Sequence, residues 1–543
     1  MEPRPRPSPT DADRLVEPAV TLAADWLRRA QADLRPSERR TIDRLQGVVD
    51  DPEGVAFTMR FVDRVSRHRD DGAAADQLAS LVRGHALPGF LSPVDRTLLR
   101  AGAAFAPRTP RLVMPMARQR MRQLVGHLVV DADPGPMRRH LEAERAEGFG
   151  LNVNLLGELV LGEGEAERRF ERTLALVDDP AVDYVSVKVS SVASQLDLWS
   201  FDVTVGRIEE RLRALFTRAA SSRPPTFVNL DMEEYRDLEL TLRAFTAVLD
   251  EPALRHLDAG IVLQAYLPDA FEALGRLTAW STARHAGGGG TVKIRLVKGA
   301  NLAMERVDAA VHGWEQAPFE TKGLVDASYK RCLDWLLHPE RMSGVRIGVA
   351  SHNLFDLAWA HLLAAERGLG GKVEMEMLQG IAPAQARAVR DDDGGLRLYT
   401  PVVSRRDFDI AIGYLFRRLE ENTSPDNFLR HLWTLEPTSD EFARQADLFR
   451  AAVAARDDLD TTPRRLRPRP HPAAEGFANE PDTDPSLPTT QAWLAEVRRI
   501  EPTPVRTPLT ITTESVDTVV AAARAAQPGW AALPASERRA VLR

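Results

Sequence analysis

Eight short β-type runs, separated by stretches of helical periodicity, constrain the fold of this chain more than any other feature. The runs occupy residues 150–158, 184–191, 226–231, 260–266, 291–299, 345–353, 372–380 and 396–402. Helical patterns lie between or after them at 163–177, 204–219, 233–249, 268–284, 354–366 and 405–421. This alternation is typical of an α/β chain folded as a (β/α)8 barrel of about 270 residues. An open doubly wound sheet is the alternative, but no strand leads into a convincing G-x-G-x-x-G turn.

Polar side chains crowd the carboxyl ends of the predicted strands, which is where (β/α)8 barrels place their active sites. These residues are Lys188, Asp231, Gln264, Tyr266, Arg295, Lys298, His352, Asn353 and Tyr399. Each of them alone could be a satisfied polar group of the core or the rim. Their concentration at one end of the barrel indicates a functional site.

The fifth run, TVKIRLVKG, contains three cations, although a buried parallel strand is usually apolar throughout. Lys188, Arg295 and Lys298 face few acids in this pattern, and Asp231 is the obvious local partner. Because uncompensated buried charge is costly, we expect this end of the barrel to bind an anion. Lys293 lies earlier in the strand, so we predict that it is structural and paired with an acid at the lower rim.

A pair of arginines follows the eighth strand in the segment IGYLFRRLEEN, residues 412–422. On a helix, Glu421 lies four residues after Arg417 and three after Arg418, so its carboxylate can orient both guanidinium groups. Two oriented guanidinium groups can bind a small carboxylate through paired hydrogen bonds. A solvated, salt-bridged helix is the other interpretation, and the cationic barrel mouth favours the binding site.

The composition, 27% charged and 44% hydrophobic among 543 residues, is that of an ordinary globular chain. A net charge of -7 argues against a nucleic-acid partner bound through bulk positive charge. The single cysteine, Cys332, excludes an intramolecular disulfide, and its apolar surroundings predict a buried thiol. Neither a membrane span nor the apolar segment of a signal peptide is found, which predicts a soluble cytoplasmic protein. Peripheral contact with the inner face of the membrane stays open.

The chain reads as five successive regions. We predict a disordered segment 1–12, a helical arm or bracing domain 13–125, the barrel domain 126–455, a Pro- and Arg-rich linker 456–488 and the beginning of another domain, 489–543.

The segments VSVKVSS, VNLDMEEY, GIVLQAYL, VKIRLVKGA, ASHN, EMLQGI, RLYTPV and FRRLEENTSPDNF follow one another between about residues 150 and 435. In sequence and order they resemble the motifs of the FAD-dependent proline dehydrogenase family. The version they resemble most is the proline dehydrogenase half of bifunctional proline utilization A. Downstream, GFANEPDTDPSLPTTQAW resembles the beginning of the aldehyde dehydrogenase half of that enzyme.

The resemblance implies a distorted (β/α)8 barrel that binds FAD non-covalently and oxidises L-proline to 1-pyrroline-5-carboxylate, with electrons passed to a quinone. Full-length relatives also oxidise glutamate semialdehyde with NAD, and we expect this sequence to lack that catalytic site. The implied catalytic residues are Lys188, Asp231, Arg295, Tyr399, Arg417, Arg418 and Glu421. The implied substrate pocket comprises Lys188, Asp231, Leu378, Tyr399, Arg417 and Arg418, the arginines binding the proline carboxylate. The implied FAD contacts are Asp231, Gln264, Arg295, Lys298, Gly299, Ala300, Ser351, His352, Asn353 and Glu421.

In this reading, Arg295 stabilises negative charge on the reduced flavin ring and Lys298 compensates the pyrophosphate. Tyr399 is the candidate for limiting hydroxyproline. The chain departs from the family at Asn301 and Leu302, where relatives often carry two aromatic residues, and at Met377 and Gln379, which therefore receive no role.

Two other hypotheses stay open beside the flavoenzyme. A catalytically silent scaffold or substrate-channelling module would keep the barrel but not FAD. A metal-dependent hydrolase or aldolase would use His352 with Asp231 and Glu376, but the surrounding cations would repel a metal, so we predict none. The oligomeric state is open, with a homo-oligomer compatible with the sequence.

Overall fold

In the computed structural model of the chain, the described residues are 10–49, 51–66, 68, 70–125, 129–157, 160–404, 407, 411, 427–432, 434–467, 480–501 and 512–541. The chain divides into two compact units, Met1–Gln491 and Ala492–Arg543. The second unit contains the helices Thr513–Ala532 and Ala535–Val541. Within the described ranges, no helix combines the length and the apolar character needed to cross a membrane.

A closed barrel of eight parallel strands forms the centre of the first unit. The strands of the described residues are β1 (Val130–Asp131), β2 (Phe149–Leu155), β3 (Tyr184–Lys188), β4 (Phe227–Asp231), β5 (Ala259–Gln264), β6 (Val292–Val297), β7 (Val345–Ala350), β8 (Val373–Leu378) and β9 (Leu396–Val403), and β2 to β9 form the barrel. Each of these strands pairs with the next, and β9 also pairs with β2, which closes the barrel. The predicted (β/α)8 barrel is confirmed, and the open doubly wound sheet is wrong.

Helices surround the barrel and follow its strands. Those of the barrel region are Pro134–Ala146, Glu163–Val177, Val189–Val192, Phe201–Ser221, Leu238–Leu249, Asp269–Ala286, Leu302–His312, Lys322–Leu336, Leu354–Glu366, Pro383–Asp393, Phe428–His431 and Asp440–Ala455. Five of the six predicted helical patterns match helices in this set. The sixth, 405–421, lies almost wholly outside the described residues.

A helical N-terminal region precedes the barrel, as predicted. Its helices are Asp11–Arg14, Val16–Ala32, Pro36–Val49, Pro52–Phe61, Asp71–Gly84, Pro93–Phe105 and Pro110–Val125. The helix Val16–Ala32 packs against the barrel helices Leu354–Glu366 and Pro383–Asp393. Trp26 on this helix is fully buried, and its indole Nε1 donates to Asp392 Oδ2 at 2.7 Å. The buried residues of this helix therefore belong to the same apolar core as the barrel.

The barrel interior carries charged side chains on β6, β8 and β9. Lys293 on β6 is 3% exposed. Its ammonium group contacts Glu374 and lies 2.5 Å from Glu376 Oε1, both on β8. The predicted pairing of Lys293 with an acid is confirmed, and its structural role stays a prediction. The Cys332 thiol is also buried as predicted, and burial raises its pKa to about 12.

Candidate active site at the carboxyl end of the barrel

A buried carboxylate, Asp231, ends strand β4 and is 6% exposed. Its oxygens accept hydrogen bonds from Tyr399 Oη at 2.7 Å, Asn229 Nδ2 at 2.9 Å and Asn154 Nδ2 at 3.3 Å. Burial raises the pKa of Asp231, although the positive charge of Arg295 and the bond from Tyr399 act in the opposite direction. The predicted residues Asp231 and Tyr399 are thus in direct contact inside the barrel, with residues of β2, β4, β6 and β9 meeting around them.

Arg295 on β6 lies beside this pair and is held from two sides. Its Nε donates to Glu376 Oε2 at 2.6 Å, and its guanidinium lies 4.9 Å from the centre of the Tyr399 ring. In the part of the chain that the structure describes, no hydrogen bond from Nη1 or Nη2 of Arg295 is found. Nearby Glu376 and Asp231 keep the pKa of Arg295 above its ordinary value despite burial. Arg295 therefore presents two fixed donors to a ligand.

Lys188, at the end of β3, forms an ion pair with Glu233, whose carboxylate also accepts from the Ser190 hydroxyl. The backbone of Glu233 is used as well. Its carbonyl oxygen accepts from Asn301 Nδ2 at 2.7 Å and from Gln264 Nε2 at 3.2 Å. Asn301, which stands where relatives often carry an aromatic residue, thus ties the loop after β6 to the loop after β4.

Lys298 follows β6 and belongs to a cluster of three lysines and two aspartates. Its Nζ lies 2.5 Å from Asp326 Oδ1 and 2.7 Å from Asp356 Oδ2. Asp326 also pairs with Lys322, and the fully buried Asp356 pairs with Lys330. The lysines hold the pKa of both aspartates below their ordinary value, in spite of burial. With one more cation than anions, the cluster favours an anionic ligand.

Gly299 has a positive φ and lies so close to the Tyr266 ring that no side chain fits at this position. Its φ is +116°, and a Cβ at this position would lie 2.4 Å from Tyr266 Cγ. Ala300 follows Gly299 in the loop before the helix Leu302–His312. This loop therefore brings bare backbone to the barrel mouth.

The segment Ser351–Asn353 follows β7. Asn353 Oδ1 accepts from Phe355 N at 3.0 Å and so caps the helix Leu354–Glu366, whereas Ser351 Oγ donates to Asp356 Oδ2 at 3.1 Å. His352 Nε2 accepts from Leu378 N at 3.0 Å, at the end of β8. Burial lowers the pKa of His352 to about 4, which keeps the ring neutral. The backbone of Leu378 is also aligned with Tyr399 in the β8–β9 register.

The remaining predicted site residues, Arg417, Arg418 and Glu421, lie outside the described residues. Arg295 and Tyr399 lie within β6 and β9, and the others lie at or just after the carboxyl ends of their strands. The expectation that Lys188, Arg295 and Lys298 face few acids is wrong. Their partners, Glu233, Glu376, Asp326 and Asp356, come from neighbouring loops, strands and helices. Sequence spacing gave no signal for these acids, because they are distant along the chain and meet the cations only when the barrel closes.

The residues weighed as a metal site have other partners. Glu376 lies between Lys293 and Arg295, and His352 accepts a backbone hydrogen bond. The described part of the chain contains no group of three or more His, Cys, Asp or Glu side chains placed to hold a metal ion. A cavity of about 380 Å³ opens at the opposite, amino-terminal end of the strands and is lined by Lys293 and Glu374, but not by Asp231, His352 or Glu376.

The proline dehydrogenase family model matches residues 137–431, more than half of the chain. Proline dehydrogenase of Deinococcus radiodurans is 26% identical over 316 residues, covering 57% of this chain and 89% of that protein. Human hydroxyproline dehydrogenase is 34% identical over 165 residues, covering 30% of this chain and 34% of that protein.

Among solved structures, proline utilization A of Corynebacterium freiburgense is 43% identical with a TM-score of 0.63, covering 82% of this chain. This chain spans only 42% of that protein's length. The family match covers all eight strands of the barrel and the residues that meet at its mouth. The chain is thus an enzyme of the proline dehydrogenase family, and its barrel resembles the proline dehydrogenase half of proline utilization A.

Proposed function

We propose that this barrel binds FAD and oxidises L-proline to 1-pyrroline-5-carboxylate. Family membership supports the substrate class, and the arrangement at the barrel mouth supports the flavin. The proposal rests on polar groups at this mouth that have no described hydrogen-bond partner within the protein. Arg295 has two terminal nitrogens without a described hydrogen bond, beside a buried carboxylate and an aromatic ring.

The residues at the mouth fit a flavin dinucleotide. Gln264 Oε1 and His352 Nδ1 are buried atoms with no hydrogen-bond partner among the described residues, although such atoms are normally satisfied. Gly299 leaves space that any Cβ would fill. Lys298 and its cationic cluster suit a pyrophosphate, and the donors of Arg295 suit the electron-rich edge of a reduced ring. When bound, FAD would accept the hydride that proline loses from the ring carbon next to its nitrogen.

The protein's own residues would prepare proline for this loss. The amine must be neutral, so that its lone pair can form the imine as hydride leaves. Arg295, whose terminal nitrogens have no described hydrogen bond, would disfavour the ammonium form of an amine bound beside them, although Glu376 and Asp231 offset part of its charge. Asp231 and Tyr399 would shape the pocket as a fixed, hydrogen-bonded pair. By motif, Arg417 and Arg418 would bind the carboxylate and Glu421 would orient them.

We further propose that the reduced cofactor passes its electrons to a quinone, with peripheral membrane contact as the route to that acceptor. The chain spans about half of the proline utilization A chains it resembles.

Product analysis tests the proposed reaction. The FAD-supplemented chain is incubated with L-proline and a soluble quinone, and the cyclic imine is trapped with o-aminobenzaldehyde. We expect one imine for each quinone reduced, with none from D-proline. Flavin binding without imine formation would overturn the substrate, and a chain that takes up no FAD would favour the silent scaffold.

Hydroxyproline is the second candidate substrate, because human hydroxyproline dehydrogenase is among the similar proteins. The same assay with trans-4-hydroxy-L-proline decides between the two. We expect a higher kcat/KM for L-proline, since the Tyr399 ring stands between Arg295 and Asp231 and takes up room in the pocket.

A further inference from the structure

Glu376 is a fully buried carboxylate that the proposed reaction does not use. It lies on β8 between two cations of β6, with Oε1 2.5 Å from Lys293 Nζ and Oε2 2.6 Å from Arg295 Nε. The two cations outweigh burial and hold the pKa of Glu376 below its ordinary value. A buried carboxylate of this kind stays ionised and keeps a fixed position.

The contact crosses a strand, because β7 lies between β6 and β8 in the barrel. Gly348 on β7 makes the crossing possible. It is aligned with Arg295 on one side and with Glu374 on the other. A Cβ at Gly348 would lie 2.3 Å from Glu376 Oε1 and 2.9 Å from Lys293 Cε. Only glycine leaves room for the side chains of β6 and β8 to meet at this point.

We infer that Glu376 is a positioning residue for Arg295. Glu376 accepts the hydrogen bond from Arg295 Nε, and Arg295 Cζ lies 4.9 Å from the centre of the Tyr399 ring. These two contacts fix the orientation of the guanidinium and therefore of its two terminal nitrogens. Lys293 in turn keeps the Glu376 carboxylate ionised and in place. This inference rests on the proposed function, since the direction of Arg295 affects catalysis only when FAD is bound beside it.

Glu374 provides a matched comparison on the same strand. It also contacts Lys293, but its other cation is Arg397, whose Nε donates to Glu374 Oε2 at 2.9 Å. Both residues are acids of β8 that neutralise Lys293, and only Glu376 touches Arg295. Replacing Glu376 together with Lys293, or Glu374 together with Arg397, removes one positive and one negative charge. The net charge near the site is therefore unchanged in both double variants, and the second keeps the Lys293–Glu376–Arg295 contacts.

The test compares Lys293→Met/Glu376→Gln with Arg397→Met/Glu374→Gln in the FAD-loaded chain. The midpoint potential of the bound flavin and the first-order rate of flavin reduction by L-proline are measured under anaerobic conditions. We expect the Glu376 double variant to reduce flavin about tenfold to a hundredfold more slowly, since small misplacements of active-site groups have effects of this size. Its potential shifts to more negative values, because Arg295 no longer holds positive charge at the ring. The Glu374 double variant stays within about twofold of the wild type in rate, with an unshifted potential.

A second variant, Gly348→Ala, changes no charged residue of the sequence, but its added Cβ displaces the Glu376 side chain sterically. We expect the same direction of change in potential, which keeps the test decisive if a double variant does not fold. If the wild type reacts normally and the two double variants have equal potentials and rates, the positioning role of Glu376 is overturned and the proposed function is not. A wild type that binds no FAD, or whose flavin proline does not reduce, would overturn the proposed function and this inference with it.

Discussion

Tyr399 serves two neighbours at once: its hydroxyl donates to Asp231 at 2.7 Å and its ring lies under the Arg295 guanidinium. Its hydroxyl and its ring can be removed separately by substitution, so their contributions can be measured one at a time.

Replacing the ring of Tyr399 should change substrate preference. We expect Tyr399→Ser to raise the ratio of kcat/KM for hydroxyproline over proline by about tenfold or more, because a pocket contact of this size is worth that much discrimination. Tyr399→Phe is the control that keeps the ring and loses only the hydroxyl. Steady-state kinetics on both substrates measure the ratio, and a ratio that rises equally in both variants would contradict the steric role.

His352 makes stability depend on pH. Its Nε2 must be unprotonated to accept from Leu378, and burial lowers its pKa from the ordinary 6.5 to about 4. In this interval the unfolded chain binds the proton and the folded chain does not, so stability is complete above about pH 6.5 and falls as pH drops toward 4. The loss amounts to at most about 3 kcal/mol.

Urea unfolding of the wild type and His352→Gln at pH 7.5 and 4.5 measures this dependence. Other groups titrate in the same range, so the quantity of interest is the difference between the two proteins. We expect the variant to lose less stability on acidification. Identical losses would show that the neutral ring is not what the fold requires.

At the level of elements, the loop after β6 brings backbone to the mouth through Gly299. We expect Gly299→Ala to destabilise the protein by about 1 to 3 kcal/mol through its positive φ, and by a similar amount again through contact with Tyr266. FAD affinity should fall as well. Gly368→Ala is the control, because Gly368 also has positive φ but has nothing within 4 Å of its Cβ position.

Chemical denaturation and a flavin fluorescence titration supply the two numbers for Gly299→Ala and Gly368→Ala. Equal destabilisation in both variants would mean that the Tyr266 contact is unimportant. Unchanged FAD affinity in Gly299→Ala would separate this loop from the cofactor.

Strands and the residues at their ends could be predicted from sequence, whereas their partners could not. Runs rich in Val, Ile and Leu identified β2 to β9, but β1, Val130–Asp131, is too short to leave a pattern. The acids Glu374 and Glu376 were within a predicted strand, yet their pairing with β6 depends on Gly348 and on the barrel register. Asp326 and Asp356 reach Lys298 from two helices, which no local spacing reveals.

At the level of the whole molecule, the N-terminal helix Val16–Ala32 is part of the barrel's core rather than a separate layer. Trp26→Ala should therefore lower the free energy of unfolding by about 3 to 5 kcal/mol, as large-to-small changes in cores do. Trp199→Ala, at a residue that is 45% exposed, is the control and should cost under about 1 kcal/mol. Denaturant unfolding of both variants measures the difference, and a small effect at Trp26 would make the helix an accessory to the barrel.

The first unit, Met1–Gln491, contains the barrel and every described site residue. The most direct measurement is the visible absorption spectrum of the FAD-supplemented chain under anaerobic conditions, before and after L-proline. We predict a bound-flavin spectrum that bleaches with L-proline and is unchanged by D-proline. Bound flavin that L-proline does not bleach would contradict the proposed substrate, and a chain that remains colourless with excess FAD would contradict the proposed cofactor.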